Sequence, residues 1–353
     1  MRSTFIIALF LCIFSSLLFS CGETGEQKNP EEGKIFDSPI SVVSDGTYLY
    51  VANANFNLSR DGDGFLAVVD PQRLLDKKNP IVARLSVPPL CGRLEIDVEK
   101  KLLYLADRRN DKIIPISIKN PLDPDTGDSI DVASEPYTLF LDREANRLFV
   151  GTLSGYLSIV DLDRAGVMTN FLLASKLSSV VMGPQRSYLA VVSRILDVVY
   201  LFDPDELEFL FSFEVGEPGL IESVRALAVS PDEKWLYVAV KNPALIAVYR
   251  NERLPWNSDR ALFALVPIGC QPETILAFDQ YVVAACRDDD KLIVVDSDIF
   301  YPVAEIKTCH GPVSLAVLPD PRYADKQLIA VTCFDSHEVE LIDIDGWKVV
   351  AKR

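Results

Sequence analysis

Three stretches of the chain carry one pattern: "SVVSDGTYLYVAN" (residues 41–53), "ALAVSPDEKWLYVAV" (226–240) and "SLAVLPDPRYADKQLIAVT" (314–332). Each joins two apolar runs, rich in β-branched and aromatic residues, through a turn built on Asp, Pro or Gly, which is the chemistry of paired strands. Working outward, the pattern occurs seven times. The second run reads Leu49–Ala52, Leu103–Ala106, Leu148–Gly151, Leu189–Val192, Leu236–Ala239, Val282–Ala285 and Ile329–Thr332. A third run follows a polar loop in each copy: Leu66–Asp70, Ile113–Ile116, Leu157–Asp161, Val199–Asp203, Leu245–Tyr249, Leu292–Asp296 and Val339–Asp343. Asp closes it in five of the seven copies, so the residue belongs to the repeat and not to one local site. Fourth strands are expected near 81–87, 129–133, 168–174, 208–215, 261–268, 302–307 and 347–352.

The first runs begin at Pro39, Cys91, Pro136, Leu177, Val224, Pro272 and Pro312, 40 to 52 residues apart. Near-continuous apolarity means that both faces of the inner strands are buried. A four-stranded sheet repeated at that period buries them by stacking on its neighbours around an axis. No stretch has a 3.6-residue amphipathic period, which excludes an α/β alternative. The fold expected is all-β: a seven-bladed β-propeller of four-stranded antiparallel blades over residues 35–353. Pro115 falls inside a third run and predicts a bulge or irregular edge there. The last blade is complete from its own chain, or residues 34–37 add an outer strand and latch the ring; the sequence leaves both closures open.

The repeat units and the "VxVVD"-like runs that follow them resemble the YVTN-type, lactonase-like β-propellers, over about residues 35–353. The resemblance implies architecture. It implies no particular activity, because the motif marks strands and not a site. Its lactonase-like members use a charged axial pocket, which here implies the acids and arginines at the mouth of the ring.

Residues 1–20 read as a signal peptide: Arg2, an apolar run from Phe5 to Phe19, then Ser20. That run of about 15 residues is short for a helix crossing ~30 Å of hydrocarbon. Leu18-Phe19-Ser20-Cys21 resembles the bacterial lipobox, which implies cleavage before Cys21 and its acylation, palmitate included; Phe19 departs from the small residue usual in that slot. Gly22-Glu23 in place of an Asp implies an outer-membrane lipoprotein of the cell envelope. Residues 21–34 lack apolar periodicity and form a flexible tether behind the lipid. The membrane is then a partner only through the anchor.

With 51 acidic and 35 basic side chains the chain stands at −16. This excludes nucleic acid as the main partner, since phosphate binding needs a basic surface. The expected state is a monomer that binds an envelope protein, peptide or polymer.

Beyond Cys12 and Cys21, five cysteines remain: Cys91, Cys270, Cys286, Cys309 and Cys333. In a blade the start of strand one faces the end of strand two. That brings Cys270 towards Cys286 and Cys309 towards Cys333, two disulfides suited to an oxidising compartment; the alternative is a cross-blade pair, Cys286 with Cys309. Cys91 is left over. The only histidines, His310 and His337, fall in blade seven with Cys309 and Cys333, a donor set for zinc or copper. Asp61 and Asp63, flanked by glycines, offer oxygens to calcium. A structural reading of all four outweighs a metal site.

The charged residues Arg93, Arg108, Glu135, Glu222, Arg225, Glu273 and Arg287 are placed by the repeat around one end of the axis. A funnel of mixed charge is a ligand-binding mouth. No Gly-x-Ser-x-Gly elbow, HExxH or phosphate loop is present, so no catalytic residue is assigned. The expectation is a binding or scaffolding module acting through its loop-bearing face and axial funnel. A lactonase-like hydrolase and a metal-binding or redox accessory protein are the alternatives.

Overall fold

The computed structural model describes residues 35–56, 62–216, 222–254 and 258–353. The signal peptide, Cys21 and the tether lie outside the described residues, as does Asp61. Seven antiparallel sheets follow one another in chain order, each with its strands in sequential order. Blade 1 comprises Pro39–Ser44, Leu49–Asn53, Gly64–Val69 and Ile81–Val87. Blade 7 comprises Pro312–Pro319, Gln327–Cys333, Glu338–Asp343 and Lys348–Lys352.

Burial follows strand position. Leu49–Asn53 and Leu189–Ser193 are buried at every residue, whereas the outermost strand of blade 6, Tyr301–Lys307, alternates exposed and covered positions. Inner strands are sandwiched between blades; outer strands have one face in water. Among the described residues seven apolar clusters form, one between each pair of neighbouring blades. The cluster that closes the ring joins Val42, Leu49 and Val51 of blade 1 to Ala316, Leu328 and Leu341 of blade 7, with Phe36 beneath them. Blade 7 takes its fourth strand from its own chain, and Arg353 exchanges backbone hydrogen bonds of 2.8 and 3.0 Å with Val339. Residues 35–37 add no strand. Closure is therefore apolar packing between complete sheets.

Hydroxyls tie adjacent inner strands together. Ser41, Ser179 and Ser314 each accept the backbone N–H of the next blade's first strand: Leu94, Leu227 and Val42, at 3.0–3.2 Å.

The recurrent Asp is a turn device. Asp161 accepts from the amides of Asp163 and Arg164, Asp203 from Asp205 and Glu206, and Asp296 from Asp298 and Ile299. Asp343 accepts from Asp345. Four residues after each of these, Ala165, Leu207, Phe300 and Trp347 take left-handed φ of 47–56°, which turns the chain into strand four. In blade 1 the equivalent Asp70 instead caps a short helix, Pro71–Leu75, with Pro at its first turn.

Blade 2 departs at its edge. Pro115 sits mid-strand, and its carbonyl accepts from Gly127 on the outer side. The N–H and C=O of a residue point to the same side of a strand, so the donor that proline lacks is also on the outer side. The outer strand there is split into Asp125–Thr126 and Ile130–Asp131.

Among the described residues no helix is long and apolar enough to cross a membrane.

Candidate ligand-binding mouth

Two sequence positions in each blade build the rim of one end of the ring. One is the second residue of the first run. In six blades a bulge interrupts the pairing of the first strand at its start, for example between Pro136 and Thr138 and between Val224 and Ala226. Bulges at a rim re-aim the side chains they carry. Tyr137 and Arg225 sit at such steps, and Glu273 holds the equivalent place in blade 6. The other position is the residue that leaves the second strand. The pairings Cys91 with Asp107, Leu177 with Ser193 and Pro312 with Cys333 put Arg108, Arg194 and Phe334 there. Arg287 follows Cys286 in the same way.

These side chains meet across the axis. Arg194 of blade 4 donates to the Tyr137 hydroxyl of blade 3 at 2.5 Å and pairs with Glu273 of blade 6 at 2.7 Å. Its guanidinium lies 4.8 Å from the centre of the Tyr137 ring. Arg93 and Arg108 of blade 2 stand 5.9 Å from the same ring, so three cations surround one phenol. Arg108 also lies over Phe56, which meets Phe334 edge-on at 5.2 Å. Arg287 stacks on Phe334 at 4.9 Å and binds Asp335 through two nitrogens, 2.8 and 3.1 Å. That bidentate pair holds the guanidinium pKa above its ordinary value. Lys241 pairs with Asp288 at 2.9 Å, and that hydrogen bond pulls the Asp288 carboxyl below the usual range.

The arrangement is incomplete. The Nε atoms of Arg108, Arg194 and Arg225 are buried with no hydrogen-bond partner among the described residues. The other unmatched buried side-chain atoms there are oxygens. A buried donor left unmet costs about 1–3 kcal/mol, and more when charged.

The residues expected at the mouth divide as follows. Arg93, Arg108, Arg225, Glu273 and Arg287 line it. Glu135 stays at the half-exposed rim, 3.9 Å from Arg108. Glu222 opens the first strand of blade 5, and its side chain is outside the described residues. Sequence reasoning missed Phe56, Tyr137, Arg194, Lys241 and Phe334. The signal was available: Arg194 and Phe334 occupy the register already assigned to Arg108 and Arg287.

Both expected disulfides form, Cys270 with Cys286 and Cys309 with Cys333. Cys91 is buried and free, and burial pushes its thiol up to about 12. The histidines have separate partners: His310, exposed, meets Asp290 at 2.5 Å, and His337 accepts from the Ser38 amide at 2.9 Å. Asp63 accepts from the Ser86 hydroxyl. The metal-type cluster found among the described residues is a different one, Cys309, Cys333 and Glu340, whose sulfurs are joined in the disulfide. Glu340 is buried, and desolvation raises its carboxyl to about 7. On the first strand of blade 2, Glu95 is likewise raised to about 7 by desolvation, against the pull of Arg143.

At the opposite end of the ring a cavity of about 960 Å³ opens between blades 4 and 5, over Leu210, Phe211, Trp235 and Arg250. None of the residues lining it carries an unmatched buried side-chain atom among the described residues.

No family model matches the sequence, and no curated protein matches it. Solved structures do. Hydrazine synthase of Kuenenia stuttgartiensis superposes with a TM-score of 0.72 over 90% of this chain and 99% of that one, at 14% identity. A protein from Lactobacillus plantarum gives 0.64 over 78% and 86%, at 15% identity. The likeness shows the fold alone. Because 1688 chains match, the architecture does not choose a function.

Proposed function

We propose that this protein is a binding module whose ligand seats in the axial mouth. The observation that carries the reading is the set of three unmatched guanidinium nitrogens from blades 2, 4 and 5, those of Arg108 and Arg194 on side chains that lie against the Tyr137 ring. Partly exposed arginines with unused hydrogen-bonding capacity, gathered beside aromatic side chains, are what a recognition pocket needs. The hydrolase alternative has less support. The mouth brings together arginines, carboxylates and aromatics, while both histidines are engaged by Asp290 and the Ser38 amide. In this reading Cys21 carries the lipid that holds the propeller at the outer membrane, and the ligand is an envelope protein, peptide or polymer.

Site-specific photo-crosslinking tests the reading. The analogue p-benzoylphenylalanine is placed at Phe334 in the mouth or at Leu210 by the opposite cavity, and the full chain is exposed to envelope extract. Adducts from position 334 and none from 210 are the expected result. Adducts from 210 alone would put the binding surface at the wrong end of the ring.

A further inference from the structure

We infer that the part of this ligand seated in the mouth is an oxyanion: a segment bearing two or more carboxylate or phosphate groups beside an apolar or ring-shaped body. The inference rests on the binding reading above and specifies its chemistry.

Charge is the first ground. The chain carries −16, yet the mouth gathers Arg93, Arg108, Arg194, Arg225, Lys241 and Arg287. The carboxylates set against them are mostly at the rim: Glu135, Asp288 and Asp335 are 50%, 61% and 46% exposed. Among the described residues Glu273, 12% exposed, is an acid that reaches inward, and Arg194 holds it. A cationic recess in an acidic body focuses field on small anions while the surrounding surface repels large polyanions. This separates the site from a nucleic-acid surface.

Geometry is the second ground. The Nε–H of arginine and its neighbouring Nη–H form a fork that matches two oxygens of one carboxylate or phosphate. At Arg108, Arg194 and Arg225 the Nε makes no hydrogen bond among the described residues, while each side chain stays partly exposed. Arg225 makes no side-chain hydrogen bond among the described residues, although it lies in the field of Asp288. Arginines on different blades present separate forks, so one acid group does not satisfy them all.

The aromatic wall is the third ground. Tyr137 has guanidinium carbons at 4.8, 5.9 and 5.9 Å, and the Phe56–Phe334 pair lies beyond Arg108. Tyr137 is buried under those guanidiniums, so the apolar surface left at the mouth is that of the half-buried Phe56 and Phe334, which an inorganic ion alone would leave bare and a sugar acid or other organic acid would cover.

Titration calorimetry on the full chain at low and moderate salt tests the inference, with citrate, trigalacturonate and pyrophosphate as anionic probes and maltotriose as the neutral one. Saturable binding of at least one anionic probe, weakened by salt, is expected, with none by maltotriose. Carboxylate probes binding where pyrophosphate fails would assign the acid as carboxylate, and the reverse as phosphate. Arg225→Gln leaves no partner stranded and is expected to weaken that binding at least tenfold. Arg225→Lys keeps the charge but lacks the fork, and should recover little of it. Arg250→Gln, at the opposite end, should bind as the parent does. No binding by any anionic probe, or binding unchanged in Arg225→Gln, overturns the inference. Adducts from position 334 would then still uphold the mouth as a binding site for a neutral ligand; absence of those adducts would sink both.

Discussion

At the turn-bearing end of the ring, Asp161, Asp203 and Asp296 bond amides two and three residues ahead of themselves. At the mouth, Arg194 bonds Tyr137 and Glu273, 57 and 79 residues away. The first end is assembled from local hydrogen bonds, each able to form in a single blade. The second exists only when blades 2, 3, 4 and 6 are all in place, and at that same end Cys270–Cys286 and Cys309–Cys333 fasten strand ends within blades 6 and 7. Among the described residues, the guanidinium nitrogens that are buried without a hydrogen-bond partner are all at the mouth. The difference teaches how the two ends are held: local turns shape the individual sheets, and the long-range end depends on side chains that meet only across blades.

The largest expected effect concerns the fasteners. Replacing Cys309 and Cys333 by Ser should lower unfolding free energy by about 3 kcal/mol, and the Cys270–Cys286 pair by a similar amount, from the loop entropy restored to the unfolded chain. Denaturant titration of each double variant checks this. Equal stability with and without the bonds would mean that the mouth is held by its side chains.

Next comes a pH effect at the same end. The folded pKa of Glu340, about 7, lies above its ordinary 4.5, so between those values the native state keeps a proton that the unfolded state releases. Its contribution to stability is thus fully present below pH 4.5 and is lost as pH rises through 7. Glu95 has the same sign and window. Glu340→Gln should therefore be more stable than the parent at pH 8, by on the order of 2 kcal/mol, and the gap should close towards pH 5. Parallel stability profiles for parent and variant from pH 5 to 8 would clear Glu340 of this role.

At the turn end, Asp203→Ala should cost about 1 kcal/mol, the usual worth of a side chain that caps backbone amides. Asp203→Asn should cost less, and neither should change ligand binding. Thermal melts combined with the calorimetry above read both quantities. A binding defect in Asp203→Ala would erase the distinction between the ends.

The smallest effect has the opposite sign. Arg225→Gln should leave stability unchanged or raise it by up to about 1 kcal/mol, because it removes a charged, unmatched buried donor. A clear loss of stability would show that the guanidinium is structural.

Much of the architecture was legible from local pattern. Seven copies of the strand runs gave the blades, and the apolar second runs gave strands buried on both faces. Pro115 announced an irregular edge, although not that the outer strand would break in two. The disulfide pairing followed from antiparallel neighbours. The helix Pro71–Leu75 was not legible, because Asp70 has the same sequence signature as the Asp of an ordinary turn.

What the sequence by itself determined was most of what is set within one sheet: which residues face a neighbouring blade, where most turns fall, and which cysteines lie opposite. Side-chain alternation and backbone hydrogen bonding fix those over a few residues. Only the tertiary structure decided that Arg194 meets Tyr137 and Glu273, and that Val42 closes on Leu341. Those meetings depend on how far each blade is rotated about the axis and how wide the ring is when it shuts. Packing of all seven apolar interfaces sets both quantities together, and no single blade encodes either.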